Sequence, residues 1–499
     1  MSIQLHPGDP HDDALLAQVH PVDWVNPPPK DRYDLVVIGG GPAGLVAAAG
    51  AAGLGAKVAL VERELLGGDC LNAGCVPSKT LLRAARAVAQ AKDAARFGVH
   101  VDGMRVDFAE VMRRVRAVRA EISPHDSAAR FRGLGIDIFF GQGRFAGANV
   151  VEVAGQSLRF RKAIIAAGAR ALHPNIAGLA KDDLLTNENL FALTELPKRL
   201  AIIGAGPIGC EMAQAFARLG AKVTLLDVLP RILSREEPSA ADLVEKSLRR
   251  DGVELILEAT VTRVESKNHE RILHWVGGGR KESLFVDAIL VGAGRVPNVD
   301  ALNLEAAGVA YTTEGITVSD QLRTTNRSIY AAGDIASRFK FTHAADALAR
   351  IAIQNALCLG RAKASTLRIP WCTYTDPEIA HVGLYEQEAV AQGLTHRVFV
   401  QDFADVDRAV VDGETDGFVR LIADPQGRIL GATIASSHAG EMISEVALAM
   451  TANIRLGGLA RVIHPYPTEA EALKKIADAF NRGRLTPWVK WLLERWLRW

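Results

Sequence analysis

Cysteine is scarce in this chain, with five residues in 499. That is too few for the disulfide framework that staples small secreted domains. Long apolar runs are missing as well. No stretch of about 18 uninterrupted apolar residues occurs, so no segment is expected to cross a bilayer as a helix. Neither sign of charge is in excess: 58 Lys and Arg stand against 57 Asp and Glu, a net +1. No global field therefore attracts nucleic acid or an acidic partner. A secretory leader needs a basic head and an apolar core, but Asp9, Asp12 and Asp13 occupy that stretch. A cytoplasmic location is expected.

The chain is long enough for about three domains. Residues 1–30 lack clean periodicity and carry Pro7, Pro10, Pro21, Pro27, Pro28 and Pro29, which reads as an extended arm or linker. Folded structure is expected from Asp34–Gly39, whose run Leu35, Val36, Val37, Ile38 suits a buried parallel strand.

An internal echo carries the most information. Gly39-Gly40-Gly41-Pro42-Ala43-Gly44 follows that strand and precedes an Ala-rich helical segment, and a second strand, Lys57–Val61, ends at Glu62. Much later Leu200–Ile203 leads into Gly204-Ala205-Gly206-Pro207-Ile208-Gly209, a helical segment, and a strand Lys222–Leu226 ending at Asp227. In both copies the acid lies 23 residues after the first glycine. A single GxGxxG is weak evidence, but strand, helix and acid supply the context the dinucleotide fingerprint requires. The glycines allow a tight turn, backbone approach to a pyrophosphate and close helix–strand packing. The helix N-terminus offers N–H groups to phosphate, and Glu62 and Asp227 are placed for ribose hydroxyls. Two such sites imply two dinucleotides.

Between the first site and its next helix lies Gly67-Gly68-Asp69-Cys70-Leu71-Asn72-Ala73-Gly74-Cys75-Val76-Pro77-Ser78-Lys79. On a regular helix, residues five apart are separated by about 7.5 Å along the axis, beyond the roughly 4.4–6.8 Å that a disulfide accepts. Bringing Cys70 to Cys75 requires a bend, which Asn72-Ala73-Gly74 can supply. Pro77 suits a first helical turn and places Cys75 near a helix N-terminus, where a thiolate is stabilised. Zinc is the rival reading, but no further Cys or His ligands lie at suitable spacing, so no metal is expected. Cys210, Cys358 and Cys372 are scattered and read as buried apolar thiols.

The segment GGDCLNAGCVPSK resembles the active-site motif of the class I pyridine nucleotide-disulfide oxidoreductases, the family of dihydrolipoamide dehydrogenase, glutathione reductase and mercuric reductase. The resemblance covers roughly residues 31–480 and includes further motifs in order. Ile164–Gly168 is similar to the strand leaving the FAD domain, Val291–Asn298 to the second crossover, and Tyr330–Ile335 to the strand carrying the flavin-site aspartate. It implies an α/β fold: two Rossmann-like dinucleotide-binding domains, for FAD and NAD(P), plus a C-terminal α+β dimerisation domain. The implied order is an arm (1–30), FAD domain (31–180), NAD(P) domain (181–298), the rest of the FAD domain (299–365), dimerisation domain (366–485) and a tail (486–499).

The same resemblance implies FAD at Gly39, Gly41, Gly44, Glu62, Gly68, Lys79, Gly143, Gly168 and Asp334. It implies the nicotinamide nucleotide at Gly204, Gly206, Gly209, Asp227, Val261 and Gly294, and a Lys79–Glu211 pair beside the flavin. Electrons would pass from reduced nicotinamide to flavin and on to the Cys70–Cys75 pair, with Cys75 facing the flavin and Cys70 attacking the acceptor. A carboxylate at Asp227 suits the 2′-hydroxyl of NADH. NADPH is the alternative, through Arg231 and Arg235.

The chain departs from dithiol-disulfide relatives near its end. Their histidine before Pro-Thr is replaced by Tyr466, although Glu471 is in place. Tyrosine is a poor base at neutral pH, so turnover of lipoamide or glutathione is not expected to be routine. His464 is a substitute candidate, with a packing or loop role as the alternative. Tyrosine here resembles mercuric reductases, yet no cysteine follows Cys372 or precedes Cys70 to hand over a metal. The expected partners are a second copy of the chain, whose dithiol Tyr466 and Glu471 would serve, and a small electron acceptor. Trp488, Trp491, Leu492, Trp496 and Trp499, with Lys490, Arg495 and Arg498, form an amphipathic tail. Its readings are a contact with protein or a peripheral contact with the inner face of a membrane.

Overall fold

In a computed structural model, the described residues are 5–180, 184–267 and 270–498. They form two compact units: Met1–Ala205, Ala215–Val228 and Glu254–Leu367 make the first, and Gly206–Gln214, Leu229–Val253 and Arg368–Trp499 the second.

The first unit is built on a central strand, β1 (Tyr33–Ile38), in which Leu35, Val36 and Val37 are fully buried. A strand covered on both faces needs this uninterrupted apolar run. β1 pairs in parallel with β2 (Val58–Glu62), which pairs in parallel with β3 (Asp137–Phe140). On its other side β1 pairs with a long strand, Gln156–Ile165, with Val37 opposite Ile164. The strand Ile329–Ala331 returns to pair in parallel with Gln156–Ile165, closing a seven-stranded sheet. The crossover from β1 to β2 is a helix, Pro42–Gly53, rich in Ala and Gly. Small residues let the helix Thr342–Leu357 lie close: a Cβ on Gly50 would come 2.8 Å from Ile353 Cδ1.

The same unit holds a second parallel sheet, in the order Glu254–Ile256, Lys222–Leu226, Arg199–Ile203, Ala288–Val291. Its central strand again leads into a glycine turn and a helix, Pro207–Leu219. Beside it lie a three-stranded antiparallel sheet (Ala259–Lys267, Glu270–Gly277, Arg280–Val286) and a short ladder joining Ala169–Ala171 to Arg295–Pro297. The α/β class and the paired dinucleotide folds are as expected.

The second unit centres on five antiparallel strands in the order Trp371–Thr373, Glu378–Gly383, Ile429–Ser436, Phe418–Ala423, Arg397–Asp402. Ala439–Thr451 and Glu471–Arg482 contribute Met442, Ile443, Val446, Leu473, Ile476 and Phe480 to its core.

Two expectations need correction. Residues 1–30 are not wholly an extended arm, because Pro10–Val19 is a helix. Asp9 caps it by accepting from His11 N and Asp12 N, Leu15 and Val19 enter the core, and Arg116 Nε lies 2.6 Å from Asp9. The six prolines masked a helix of nearly three turns, and Pro10 sits at the N-terminal position a helix tolerates. The rest of the arm guards a sheet edge: Asn26 donates to Phe140 O at 2.9 Å and accepts from Phe140 N at 2.8 Å on β3. Among the cysteines, Cys210 is buried, but Cys372 is only partly so and Cys358 is exposed, since it caps the helix Thr342–Leu357 as the chain turns away.

Candidate active site

The dithiol lies on two short helical starts. Gly68–Asn72 carries Cys70, and Cys75–Asp93 begins at Cys75 itself. The chain breaks between them at Ala73 and Gly74, where the bend was expected. A Cβ at Gly74 would fall 2.8 Å from Asp69 O and 3.6 Å from Cys70 Cα, so a glycine is what lets the second helix fold back on the first. Asn72 fastens the bend by donating to Leu66 O and Gly68 O. Cys75 Sγ is 3.4 Å from Thr342 Oγ1, the first residue of Thr342–Leu357, so two helix N-termini meet at this sulfur. Their unpaired N–H groups favour negative charge there.

Cys70 and Cys75 stand as thiols within hydrogen-bond reach of each other. The hydrogen bond with Cys75 and then burial push the Cys70 thiol well above its ordinary range, while Thr342 opposes them. The two thiols titrate as a pair, and Cys70 resists losing its proton.

A charged link runs beside the pair. Arg295, on the strand Arg295–Pro297, forms an ion pair with Asp69, donates to Ala169 O at 2.6 Å, and puts Nε 3.6 Å from Asp334 Oδ2. Burial alone would favour a neutral Arg295, but Asp69 and Asp334 outweigh it. Burial raises the Asp334 carboxyl against Arg295 and Lys340. Arg295 was legible only as part of a motif. The signal that would have singled it out is that a buried guanidinium requires carboxylate partners.

The two glycine turns are built alike. Gly39 N donates to Val61 O and Gly204 N to Leu226 O, each at 2.8 Å, and φ is +108° and +105°. Each acid hooks back to the residue after the first glycine: Gly40 N donates to Glu62 Oε2 at 2.5 Å, and Ala205 N to Asp227 Oδ2 at 2.6 Å. The acids thus brace the turn, a role beyond the ribose contact expected of them. Glu62 also accepts from Glu64 N, and burial nevertheless pushes its carboxyl upward. Gly44 packs on Gly39, where a Cβ would lie 1.7 Å from Gly39 O. Gly68 packs on Gly41, Gly143 on Val61, and Gly333 lies against Ala43 directly before Asp334. Gly168 and Gly294 take positive φ, and Val261 sits at a bulge in its strand. Lys79 belongs to the helix Cys75–Asp93.

In the second unit, Glu211 accepts from Tyr374 N at 2.9 Å. Tyr466 is 71% exposed and its hydroxyl donates to Asp407 Oδ2 at 2.9 Å, which raises the phenol further from any role as a base. Glu471 opens the helix Glu471–Arg482 with a buried Oε2 that lacks a hydrogen bond. His464 is drawn inward, its Nε2 3.0 Å from Glu445, which is an anchoring position. Sequence reasoning missed His438, whose Nδ1 is 2.8 Å from the buried Glu469. Burial lowers His438, but Glu469, Glu378 and Glu414 outweigh it and raise it overall. No local pattern links residues 31 apart, so only the fold could reveal it.

Comparison with known proteins decides the family. Residues 33–349 match pyridine nucleotide-disulphide oxidoreductase and residues 369–477 match its dimerisation domain. The chain belongs to that family. It is 34% identical to a mercuric reductase of Bacillus cereus, over 96% of this chain and 76% of the relative. It is 34% identical to a dihydrolipoyl dehydrogenase of Geobacillus stearothermophilus, over 89% and 95%. An HOCl-induced flavoprotein disulfide reductase of Escherichia coli superposes with a TM-score of 0.79 at 30% identity, covering 89% of this chain and 99% of that one. As a pyridine nucleotide-disulphide oxidoreductase, the chain uses FAD and NAD(P)H, and its dimerisation domain supports a homodimer. The residues present fit FAD: Arg295 Nε is buried without a hydrogen-bond acceptor, and Gly41 and Gly68 meet with no side chain between them.

Proposed function

We propose that this chain is an NADH-dependent flavoprotein reductase of the mercuric reductase-like branch, passing electrons through Cys70 and Cys75 to a disulfide, a metal ion or another small acceptor. The observation that carries the reading is a dithiol folded together at Gly74, with Cys75 Sγ at two helix N-termini.

Bound FAD supplies a two-electron relay between nicotinamide and dithiol. Gly39, Gly41, Gly44, Glu62, Gly68, Gly143, Gly168 and Asp334 would hold it. Gly204, Gly206, Gly209, Asp227, Val261 and Gly294 would hold the nucleotide, and Lys79 paired with Glu211 would flank the flavin. Cys75 keeps negative charge in place. Cys70 must give up its proton before it attacks an acceptor, which makes the acceptor half-reaction base-dependent. Tyr466, held as a donor by Asp407, would orient the acceptor rather than deprotonate Cys70. In the homodimer the 464–471 loop would serve the other protomer's dithiol, with Glu471 supporting it and His464 anchoring it.

A dihydrolipoyl dehydrogenase-like activity is the second reading, and Tyr466 argues against it. The Escherichia coli neighbour is HOCl-induced and has been solved as a Cu(II) complex, so Cu(II) joins Hg(II), lipoamide, glutathione disulfide and quinones as acceptors to test. Location on the inner face of a membrane would follow from the tail. Steady-state assays of wild type and Cys70→Ser test the reading. It requires NADH-driven turnover of at least one acceptor, lost on Cys70→Ser while NADH still bleaches the flavin. Turnover of every acceptor unchanged by Cys70→Ser would refute it.

A further inference from the structure

The helix Pro487–Leu497 contributes no buried residue. Trp488, Trp496 and Leu497 are 67%, 73% and 74% exposed. Thr486 caps it by accepting from Val489 N at 3.4 Å, and Pro487 occupies the first turn, so the sequence encodes a helix start here without help from packing. At 100° per residue, Trp488, Val489, Leu492, Leu493, Trp496 and Leu497 share one half of the circumference. Lys490 and Arg495 fall on the two borders of that half, and Glu494 and Arg498 lie opposite. Arg495 rests 5.3 Å from the ring centre of Trp491, which shares its border. Trp499 lies outside the described residues.

Eleven residues rise about 16 Å, half of a hydrocarbon core about 30 Å thick. No described helix is long and apolar enough to cross a membrane. A helix of this length, with an apolar half that its own chain leaves uncovered, has the dimensions of an interfacial helix. Over residues 482–498 the cations Arg482, Arg484, Lys490, Arg495 and Arg498 face a single acid, Glu494, and all six are exposed. A second copy packing on the same face would bring these cations together across a two-fold axis, where like charge opposes contact. An anionic surface is the complement. Tryptophan adds to the fit, since its ring is apolar and its N–H seeks a wet partner at headgroup depth.

We infer that residues 486–498 dock this protein in the plane of an anionic phospholipid surface, with the Trp488–Leu492–Trp496 face in the acyl boundary and Lys490 and Arg495 reaching the phosphates along both edges. The inference stands apart from the redox reading, because nothing in the helix belongs to the dithiol or the glycine turns.

Vesicle flotation of the full-length, FAD-loaded protein tests it, using phosphatidylcholine with and without phosphatidylglycerol. Flotation is expected only with phosphatidylglycerol, and is expected to weaken as salt rises. Deleting 486–499 abolishes it, leaving NADH oxidation unchanged. Lys490→Gln with Arg495→Gln weakens it about 25-fold, at about fivefold per cation near such a surface. Trp488→Ser with Trp496→Ser weakens it more than about tenfold. The inference is overturned if the wild type does not float or if the truncated chain floats equally well. It also fails if truncation changes the sedimentation-derived oligomeric state while vesicles have no effect, since the helix would then belong to a protein contact.

Discussion

The two glycine turns share a plan and differ in enclosure. The first turn is the tighter: a Cβ on Gly39 would lie 2.3 Å from Ala166 O, one on Gly41 3.7 Å from Gly68 Cα, and one on Gly44 1.7 Å from Gly39 O. A Cβ on Gly204 would lie 2.9–3.1 Å from Gly292 and Ala293, and one on Gly206 would meet nothing within 4 Å. Glu62 is tied by two N–H groups, Gly40 and Glu64. The same fingerprint thus occurs in a tighter and a looser form. An enclosed turn, backed by the Arg295–Asp334 link, suits a cofactor that stays; an open one suits a nucleotide that enters and leaves with each turnover.

The largest effect that sharpens this contrast is expected from Gly44→Ala. The added methyl collides with backbone that cannot yield, so a loss beyond about 3 kcal/mol is expected, seen as low soluble yield and a flavin-to-protein ratio near zero. Gly206→Ala should stay within about 1 kcal/mol of wild type in thermal unfolding and keep its flavin, while its KM for NADH rises as the methyl meets the phosphates. Flavin loss in Gly206→Ala would break the comparison. Arg295→Ala ranks next. It leaves half-buried Asp334 and half-exposed Asp69 without their cation, at a cost of about 2–4 kcal/mol, and denaturant titration should show flavin released before the chain unfolds.

The dithiol lies beside the first turn, and its two sulfurs act on each other. Cys70 is raised first by its bond to Cys75, so Cys75→Ala should move the pH midpoint of Cys70 alkylation down by about one unit or more, toward an ordinary thiol. An unmoved midpoint would mean that burial alone sets it. The smallest effect is expected at the open turn: Asp227→Asn weakens the acceptor for Ala205 N, costs about 1 kcal/mol, and narrows the preference for NADH over NADPH in paired KM measurements.

Much of the enclosed site was legible because its constraints are local. Positive φ at Gly39 and Gly204, the 23-residue interval to each acid, and the bend between Cys70 and Cys75 each follow from neighbours in sequence. What escaped was contributed by distant segments. Arg295 joins Asp69 and Asp334 across more than 200 and about 40 residues of chain respectively. His438 finds Glu469 only after a strand and a helix have packed. The helix Pro10–Val19 was hidden because its evidence is two side chains, Leu15 and Val19, and a salt bridge from Arg116. The same limit applies to His464, whose inward turn toward Glu445 is a property of the folded loop.

Everything proposed for the dithiol requires that reducing equivalents from NADH reach Cys70 and Cys75. The most direct measurement is to oxidise the FAD-loaded protein, add one equivalent of NADH without oxygen, quench with an alkylating reagent and count modified cysteines by mass spectrometry. Cys70 and Cys75 are expected to pass together from protected to alkylated, while exposed Cys358 is modified before and after. A flavin that bleaches while both cysteines stay unmodified would contradict it.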